Sequence, residues 1–139
     1  MNTAAIGRRA WQLYRVLVTL IALACLAQLF LAGRGVFGIH GDASLDDQSS
    51  LDPHRALGNA ISVAALVAFV LVLVIWDRRL LLWTFVMALL AAVVQRVTAT
   101  EAHPWLGGLH AVSGVAILGI SAAITRRAWR RRGTAEAAA

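Results

Sequence analysis

The sequence predicts an all-α protein, a four-helix transmembrane bundle built from two helical hairpins. Of its 139 residues, 60% are hydrophobic and 14% are charged, and the mean hydropathy is +0.73. A soluble domain carries about one-quarter charged residues, so this composition excludes an ordinary soluble fold. Four apolar runs occupy most of the chain, and a helix of about 20 apolar residues crosses a bilayer. Little of the chain is left for a separate soluble domain.

The predicted helices cover, in chain order, about residues 11–32, 56–76, 80–97 and 106–125. The first run follows Arg8 and Arg9 and is too long for the core of a secretory signal peptide, so we expect it to stay in the membrane. Asp52 and Pro53 mark the start of the second helix, with Asp52 near the N-cap and Pro53 in the first turn. Only residues 77–79 separate the second helix from the third, which predicts a tight antiparallel hairpin.

The arginines indicate how the chain is oriented. If successive helices alternate in direction, ten of the 13 arginines fall on one side of the membrane: Arg8, Arg9, Arg15, Arg78, Arg79, Arg126, Arg127, Arg130, Arg131 and Arg132. Cytoplasmic segments are enriched in positive charge, so we expect both termini in the cytoplasm. This topology gives a membrane domain at residues 11–127, flanked by cytoplasmic tails at 1–10 and 128–139. The aromatic side chains expected at the inner interface are Trp11, Tyr14, Trp76 and Trp129.

A weak internal repeat relates the second and fourth helices. Each carries a His-x-x-x-Gly sequence, from His54 to Gly58 and from His110 to Gly114, near the end that we expect to face outward. Positions four residues apart share one helix face, so each glycine lies one turn below its histidine and leaves a slot beside the imidazole. A porphyrin plane held between two helices requires such a slot. The repeat therefore predicts a b-type heme whose axial ligands are His54 and His110.

Four further residues are predicted to contribute to this cofactor site. Gln28 and Gln95 lie near the outer ends of the first and third helices, where they either contact the ligand or join neighbouring helices through hydrogen bonds. Arg55 and Arg96 also lie near outer helix ends, and a guanidinium can offer two parallel donors to a heme propionate. The alternative for both arginines is that they only extend to the outer interface.

Other functions remain open at this point. In a cofactor-free structural or accessory subunit, the histidines and glycines would only serve helix packing. A zinc or copper site could instead form in the outer loops from mixed ligands. Its members would be His40, Asp42, Glu101 and His103. The sequence contains no phosphate loop and no G-x-S-x-G, C-x-x-C or H-E-x-x-H motif, so it favours a binding protein over an enzyme.

Two segments of the chain resemble one four-helix half of the heme A synthase family. They are Leu51-Asp52-Pro53-His54-Arg55 through Val74, and Val94-Gln95 through Leu109-His110-Ala111 to Arg126. The chain also resembles a group of short, uncharacterised bacterial four-helix membrane proteins that have a Leu-His near the start of the last helix. The resemblance to the synthases implies a heme held by His54 and His110, and heme-modifying oxidation as an alternative function. The synthases have a glutamate three residues before the first of these histidines, where this chain has Leu51.

The predicted partners follow from the charge pattern. The net charge of +6 comes from arginines at helix ends, where they meet an anionic membrane surface, and so it does not indicate nucleic-acid binding. We expect the lipid bilayer of the bacterial cytoplasmic (inner) membrane as the main partner. A second copy of the chain, or a larger redox complex, is a further candidate.

The arginine distribution gives a testable prediction about topology. A reporter enzyme that is active only in the periplasm should stay inactive when fused after Ala139, because the C-terminus is expected in the cytoplasm. The control inserts the same reporter after Ser44, in the loop expected outside, where it should be active. Strong activity of the fusion at Ala139 would reverse the orientation.

Overall fold

The computed structural model describes residues 3–39, 51–99 and 104–136, with side chains described at 5–35, 51–99 and 105–130. These residues form four long helices: α1 (Thr3–Ile39), α2 (Asp52–Ile75), α3 (Arg78–Thr98) and α4 (Pro104–Glu136). Each helix contains a segment that is long and apolar enough to cross a membrane. The described residues include no strand. The predicted four-helix transmembrane fold is confirmed, and the chain is a multi-pass integral membrane protein.

The first and last helices are longer than the predicted apolar runs. α1 already begins at Thr3, and α4 continues to Glu136, so much of each expected tail is helical. The terminal segments are rich in alanine and arginine, which are strong helix formers. Hydropathy marks the part of a helix that lies in the hydrocarbon, and it therefore underestimates a helix that continues into water.

The turn between α2 and α3 is as tight as the sequence predicts. Trp76 ends α2 in the left-handed conformation, with φ of 56°, and its N–H donates to the carbonyl of Val72 at 2.9 Å. Asp77 is the N-cap of α3, where its carboxylate accepts from the backbone N–H groups of Arg79 and Leu80, each at 3.0 Å. A capped turn of this kind leaves few backbone groups unpaired at the membrane surface.

α2 begins where Asp52 and Pro53 predict, four residues before the apolar run at 56. Leu51 occupies the N-cap position, and Asp52 and Pro53 belong to the first turn. The Asp52 carboxylate accepts from the Arg55 guanidinium at 3.2 Å instead of capping a backbone N–H. Because an acidic group in the first turn still faces the positive end of the helix dipole, Asp52 favours a helix start here without acting as the cap.

The four helices pack as a ring in chain order. α1 contacts α2 and α4, and α3 contacts the same two helices, so α2 and α4 face each other diagonally across the bundle. The fully buried positions are mostly small or aliphatic, and they include Val18, Ala65, Ala68, Val72, Leu80 and Met87. The exposed large apolar side chains are mostly Leu and Val, which suits contact with lipid tails.

Tyr14 is a core residue, which its place among the aromatic side chains expected at the inner interface did not predict. Its side chain is 0% exposed, and its hydroxyl lies 2.6 Å from the Thr84 hydroxyl on the diagonally opposite helix α3. A buried tyrosine needs a partner for its hydroxyl, and Thr84 supplies one. Trp129 is partly exposed as expected, and it lies beneath the Arg15 guanidinium at 4.6 Å while its indole N–H donates to Thr19 at 3.1 Å.

The contact between Tyr14 and Thr84 should contribute to stability. Thr84→Val leaves the Tyr14 hydroxyl buried without this partner, so we expect the free energy of unfolding to fall by about 1 kcal/mol. Unfolding by sodium dodecyl sulfate in mixed micelles measures the change. As a control, Thr84→Val should cost less in a Tyr14→Phe background, where no hydroxyl is left unpaired. An equal cost in both backgrounds would mean that the hydrogen bond adds no stability.

Candidate cofactor site

The structure brings His54 and His110 together across the bundle. Their ring centroids are 6.2 Å apart, and the ring planes are inclined at 56° to each other. His54 lies in the first turns of α2 and His110 near the start of α4, so both are at the same end of the bundle. Both side chains are half-buried. The two members of the sequence repeat therefore form one site at a common depth.

The first hairpin, formed by α1 and α2, is joined by a reciprocal pair of hydrogen bonds between Gln28 and His54. The Gln28 side-chain amide donates to the backbone carbonyl of His54 at 2.8 Å. In return, the Nδ1–H of His54 donates to the backbone carbonyl of Gln28 at 3.3 Å. The side-chain oxygen of Gln28 is buried and accepts no hydrogen bond within the described part of the chain.

The second hairpin, formed by α3 and α4, repeats this arrangement with Gln95 and His110. The Gln95 amide donates to the His110 carbonyl at 2.9 Å, and His110 Nδ1–H donates to the Gln95 carbonyl at 3.2 Å. Two hydroxyl groups also contact this second glutamine–histidine pair. The Gln95 amide also donates to Ser113 Oγ at 2.7 Å, and Thr98 Oγ1 lies 3.4 Å from His110 Nδ1. The internal repeat is thus visible in the hydrogen bonds as well as in the sequence.

These contacts fix the tautomer of both imidazoles. A backbone carbonyl can only accept, so Nδ1 carries the proton in His54 and in His110. In the neutral ring, Nε2 then keeps its lone pair. Histidines that bind metals commonly donate their other ring N–H to a carbonyl in this way, because the bond sets the ring orientation and raises ligand basicity.

The two glycines leave room for the glutamine amides. A Cβ atom at Gly58 would lie 3.0 Å from the Gln28 amide nitrogen, closer than side chains normally approach. At Gly114 the corresponding distance to the Gln95 amide nitrogen is 3.6 Å, an ordinary contact. Part of the predicted slot beside each histidine is therefore used by a glutamine, which the sequence did not indicate.

A cavity of about 680 Å³ extends beside the histidines. It is lined by all four helices and includes every cofactor-binding residue that the sequence predicts: Gln28, His54, Arg55, Gly58, Gln95, Arg96, His110 and Gly114. Cys25, Ile61 and Ile117 form apolar parts of its wall. Its volume is within the range of known small-molecule and cofactor sites, and such sites combine apolar walls with a few polar groups.

The two predicted arginines lie at the rim of this cavity. Arg55 is paired with Asp52 at 3.2 Å, and the Arg96 guanidinium donates to Asn59 Oδ1 at 3.3 Å. Both arginine side chains are exposed. They give the mouth of the cavity a positive charge beside its apolar wall. Asn59 was not predicted, although it lies on the helix turn that follows Arg55.

A π-helical turn at Leu90–Val94 interrupts α3 immediately before Gln95. The Ser62 hydroxyl of α2 donates to the Ala91 carbonyl in this turn at 2.7 Å. The extra residue in a π turn rotates everything that follows it, and such turns are frequent at functional sites. Nothing in the Leu-Ala-Ala-Val-Val sequence predicts the turn.

Ser113 was also not predicted as a residue of the site. Its position between His110 and Gly114 in the repeat is the signal that would have identified it.

The alternative loop metal site falls outside the described residues, because it would use His40, Asp42, Glu101 and His103. Among the residues that the structure does describe, no three His, Cys, Asp or Glu side chains are grouped closely enough to hold a metal ion by themselves. His54 and His110 are thus a pair of donors without a third protein ligand in that part of the chain.

Comparison of the chain with protein-family models, with curated proteins and with solved structures finds no match. The functional interpretation therefore rests on the imidazole donors, the shape and the charges of the site.

Proposed function

We propose that this protein binds a b-type heme between α2 and α4, with His54 and His110 as the two axial ligands. The observation that carries the proposal is the distance of 6.2 Å between the two ring centroids. Two imidazoles that bind one metal from opposite sides, each through a bond of about 2 Å, have centroids about 6 Å apart. The observed separation supports ligation of a single metal by both rings.

The donor set also fits a macrocycle better than a bare metal ion. A protein zinc site normally supplies three or four side-chain ligands, whereas this pair supplies two. A porphyrin brings four nitrogen ligands of its own and needs only the axial pair from the protein. The carbonyls of Gln28 and Gln95 hold Nδ1 of each ring, so that Nε2 is the atom available for ligation.

The cavity supplies the remaining requirements for a heme. Its apolar wall can cover the ring, and the exposed guanidinium groups of Arg55 and Arg96 lie where carboxylates could reach water. Arginine pairs well with carboxylates because its planar group offers two parallel donors. We therefore assign Arg55 and Arg96 to the propionates, and Gln28, Gln95, Gly58 and Gly114 to the shape of the pocket.

Two imidazole ligands leave no open axial position, so the bound heme would supply one-electron transfer and not oxygen chemistry. Leu51 lines the cavity at the position where the heme A synthase family has a glutamate. This apolar side chain favours electron transfer or heme handling over heme oxidation. In this function the protein resides in the bacterial inner membrane and works with a redox complex or a second copy of itself.

A cofactor-free accessory subunit is the second candidate, and one observation favours it. The Gln28 amide lies against Gly58, and both glutamine–histidine pairs join adjacent helices. Small residues and interhelical hydrogen bonds of this kind also stabilise bundles that bind nothing. In that case the histidines would serve only to hold each hairpin together.

Spectroscopy of histidine variants separates these two functions. Replacing His54 or His110 with Ala should remove an axial ligand, so the iron should become five-coordinate and high-spin or the heme should be lost. Visible absorption and electron paramagnetic resonance of protein expressed with ample heme measure this. His40→Ala and His103→Ala are the controls and should leave the spectrum unchanged. If the wild-type protein shows no Soret band, the heme proposal fails and the accessory subunit is favoured.

The two glycines should respond unequally to substitution. Gly58→Ala should lower heme occupancy several-fold more than Gly114→Ala, because its Cβ would meet the Gln28 amide at 3.0 Å instead of 3.6 Å at Gln95. The heme-to-protein ratio measures occupancy. Gly107→Ala is the matched control, since its Cβ would meet no atom within 4 Å. Equal losses at Gly58 and Gly114 would show that the amide contact does not shape the pocket.

A further inference from the structure

A second cavity, of about 650 Å³, lies between α3 and α4 at the end of the bundle opposite the histidines. It begins beside Leu80, near the start of α3, and continues along α4 to Arg130. Along α4 the two linings come within two residues of each other, at Ile117 and Gly119, but no residue lines both cavities. Arg126 lies 16 residues beyond His110, which is about 24 Å of helix. The basic end of this cavity is therefore remote from the proposed heme site.

One wall of the second cavity is apolar and open to the surrounding lipid. Trp83 is 52% exposed, and Gly119 and Ala123 on α4 are also exposed. A Cβ atom at Gly119 would meet no atom within 4 Å, so this glycine opens a shallow groove in the surface. Such a groove can receive an acyl chain that lies along the helices.

The end of the same cavity that lies toward the C-terminus of α4 is strongly positive. Arg126, Arg127 and Arg130 lie three, four and seven residues beyond Ala123, and all three line the cavity. Among the described side chains, no salt bridge neutralises any of these three arginines. The Nε atom of Arg127 is buried and has no hydrogen-bond partner in the part of the chain that the structure describes. A buried donor of this kind normally has an acceptor.

We propose that this cavity binds an anionic phospholipid, with the phosphate on the three arginines and an acyl chain against Trp83, Gly119 and Ala123. Guanidinium groups bind phosphate through short charge-assisted hydrogen bonds, and basic pockets between membrane helices bind anionic lipid headgroups. The apolar groove continues directly from the positive end, which matches the join between a headgroup and its chain. A free phosphate ion would use only half of this surface.

Native mass spectrometry of the full chain in detergent tests the proposal. Phosphatidylglycerol should bind about tenfold more tightly than phosphatidylcholine, because the arginines attract the negative headgroup. The triple variant Arg126→Gln, Arg127→Gln, Arg130→Gln should abolish this preference. A matched control, Arg8→Gln, Arg9→Gln, Arg79→Gln, removes the same charge from the same end and should keep it. Equal phosphatidylglycerol binding by the two triple variants would overturn the proposal.

Two further arms separate a lipid site from a phosphate site and guard against misfolding. Gly119→Leu places a side chain in the groove at a position where the added Cβ atom meets no other atom within 4 Å, so it should weaken binding of both phospholipids several-fold. If Gly119→Leu binds lipid normally, the groove does not hold an acyl chain and the proposal fails. Inorganic phosphate alone should compete poorly with phosphatidylglycerol. If phosphate displaces phosphatidylglycerol completely at the same concentration, the site recognises the ion and the lipid proposal fails.

Discussion

The constraint on which this structure depends is that polar groups within the hydrocarbon must find partners inside the protein. The two glutamine–histidine pairs satisfy this constraint, one in each hairpin. Gln28 and Gln95 each donate to the carbonyl of a histidine on the next helix and accept from that ring through their own carbonyl. These pairs join each hairpin near one end and orient the imidazoles. The distance between the rings then follows from how the two hairpins pack against each other.

The two halves of the bundle are related but not equivalent. Ser113 and Leu57 occupy the same position in the repeat, and only Ser113 offers a second acceptor to its glutamine. The π turn before Gln95 has no counterpart in α1, which is helical without interruption from Thr3 to Ile39. The wider clearance at Gly114 than at Gly58 is consistent with this difference. Divergence of this kind would let one hairpin hold a ligand more firmly than the other.

Sequence predicted the features that depend on composition and spacing. Hydropathy located all four membrane segments, and the repeated His-x-x-x-Gly identified the two residues that meet at the site. The sequence did not predict the features that depend on how the helices pack. Tyr14 resembles an interface aromatic until the bundle places Thr84 opposite its hydroxyl, and the contact of Gln28 with Gly58 depends on how α1 and α2 cross. Hydropathy also could not show that α1 and α4 remain helical beyond the membrane.

The two cavities have a common physical origin. Each is lined by small residues on α4, with Gly114 at one end and Gly119 and Ala123 at the other, and these residues supply little side-chain volume to fill the space beside the helix. Each also contains a residue with a buried polar atom that lacks a partner in the described chain, Gln28 Oε1 in one and Arg127 Nε in the other. Leaving such an atom unpaired in an apolar medium costs several kcal/mol. Arg15 Nε and Thr125 Oγ1 also lack a partner in the described chain, but neither residue lines one of the two cavities. A ligand in either cavity would be placed to supply a partner that the described chain does not, at Gln28 or at Arg127.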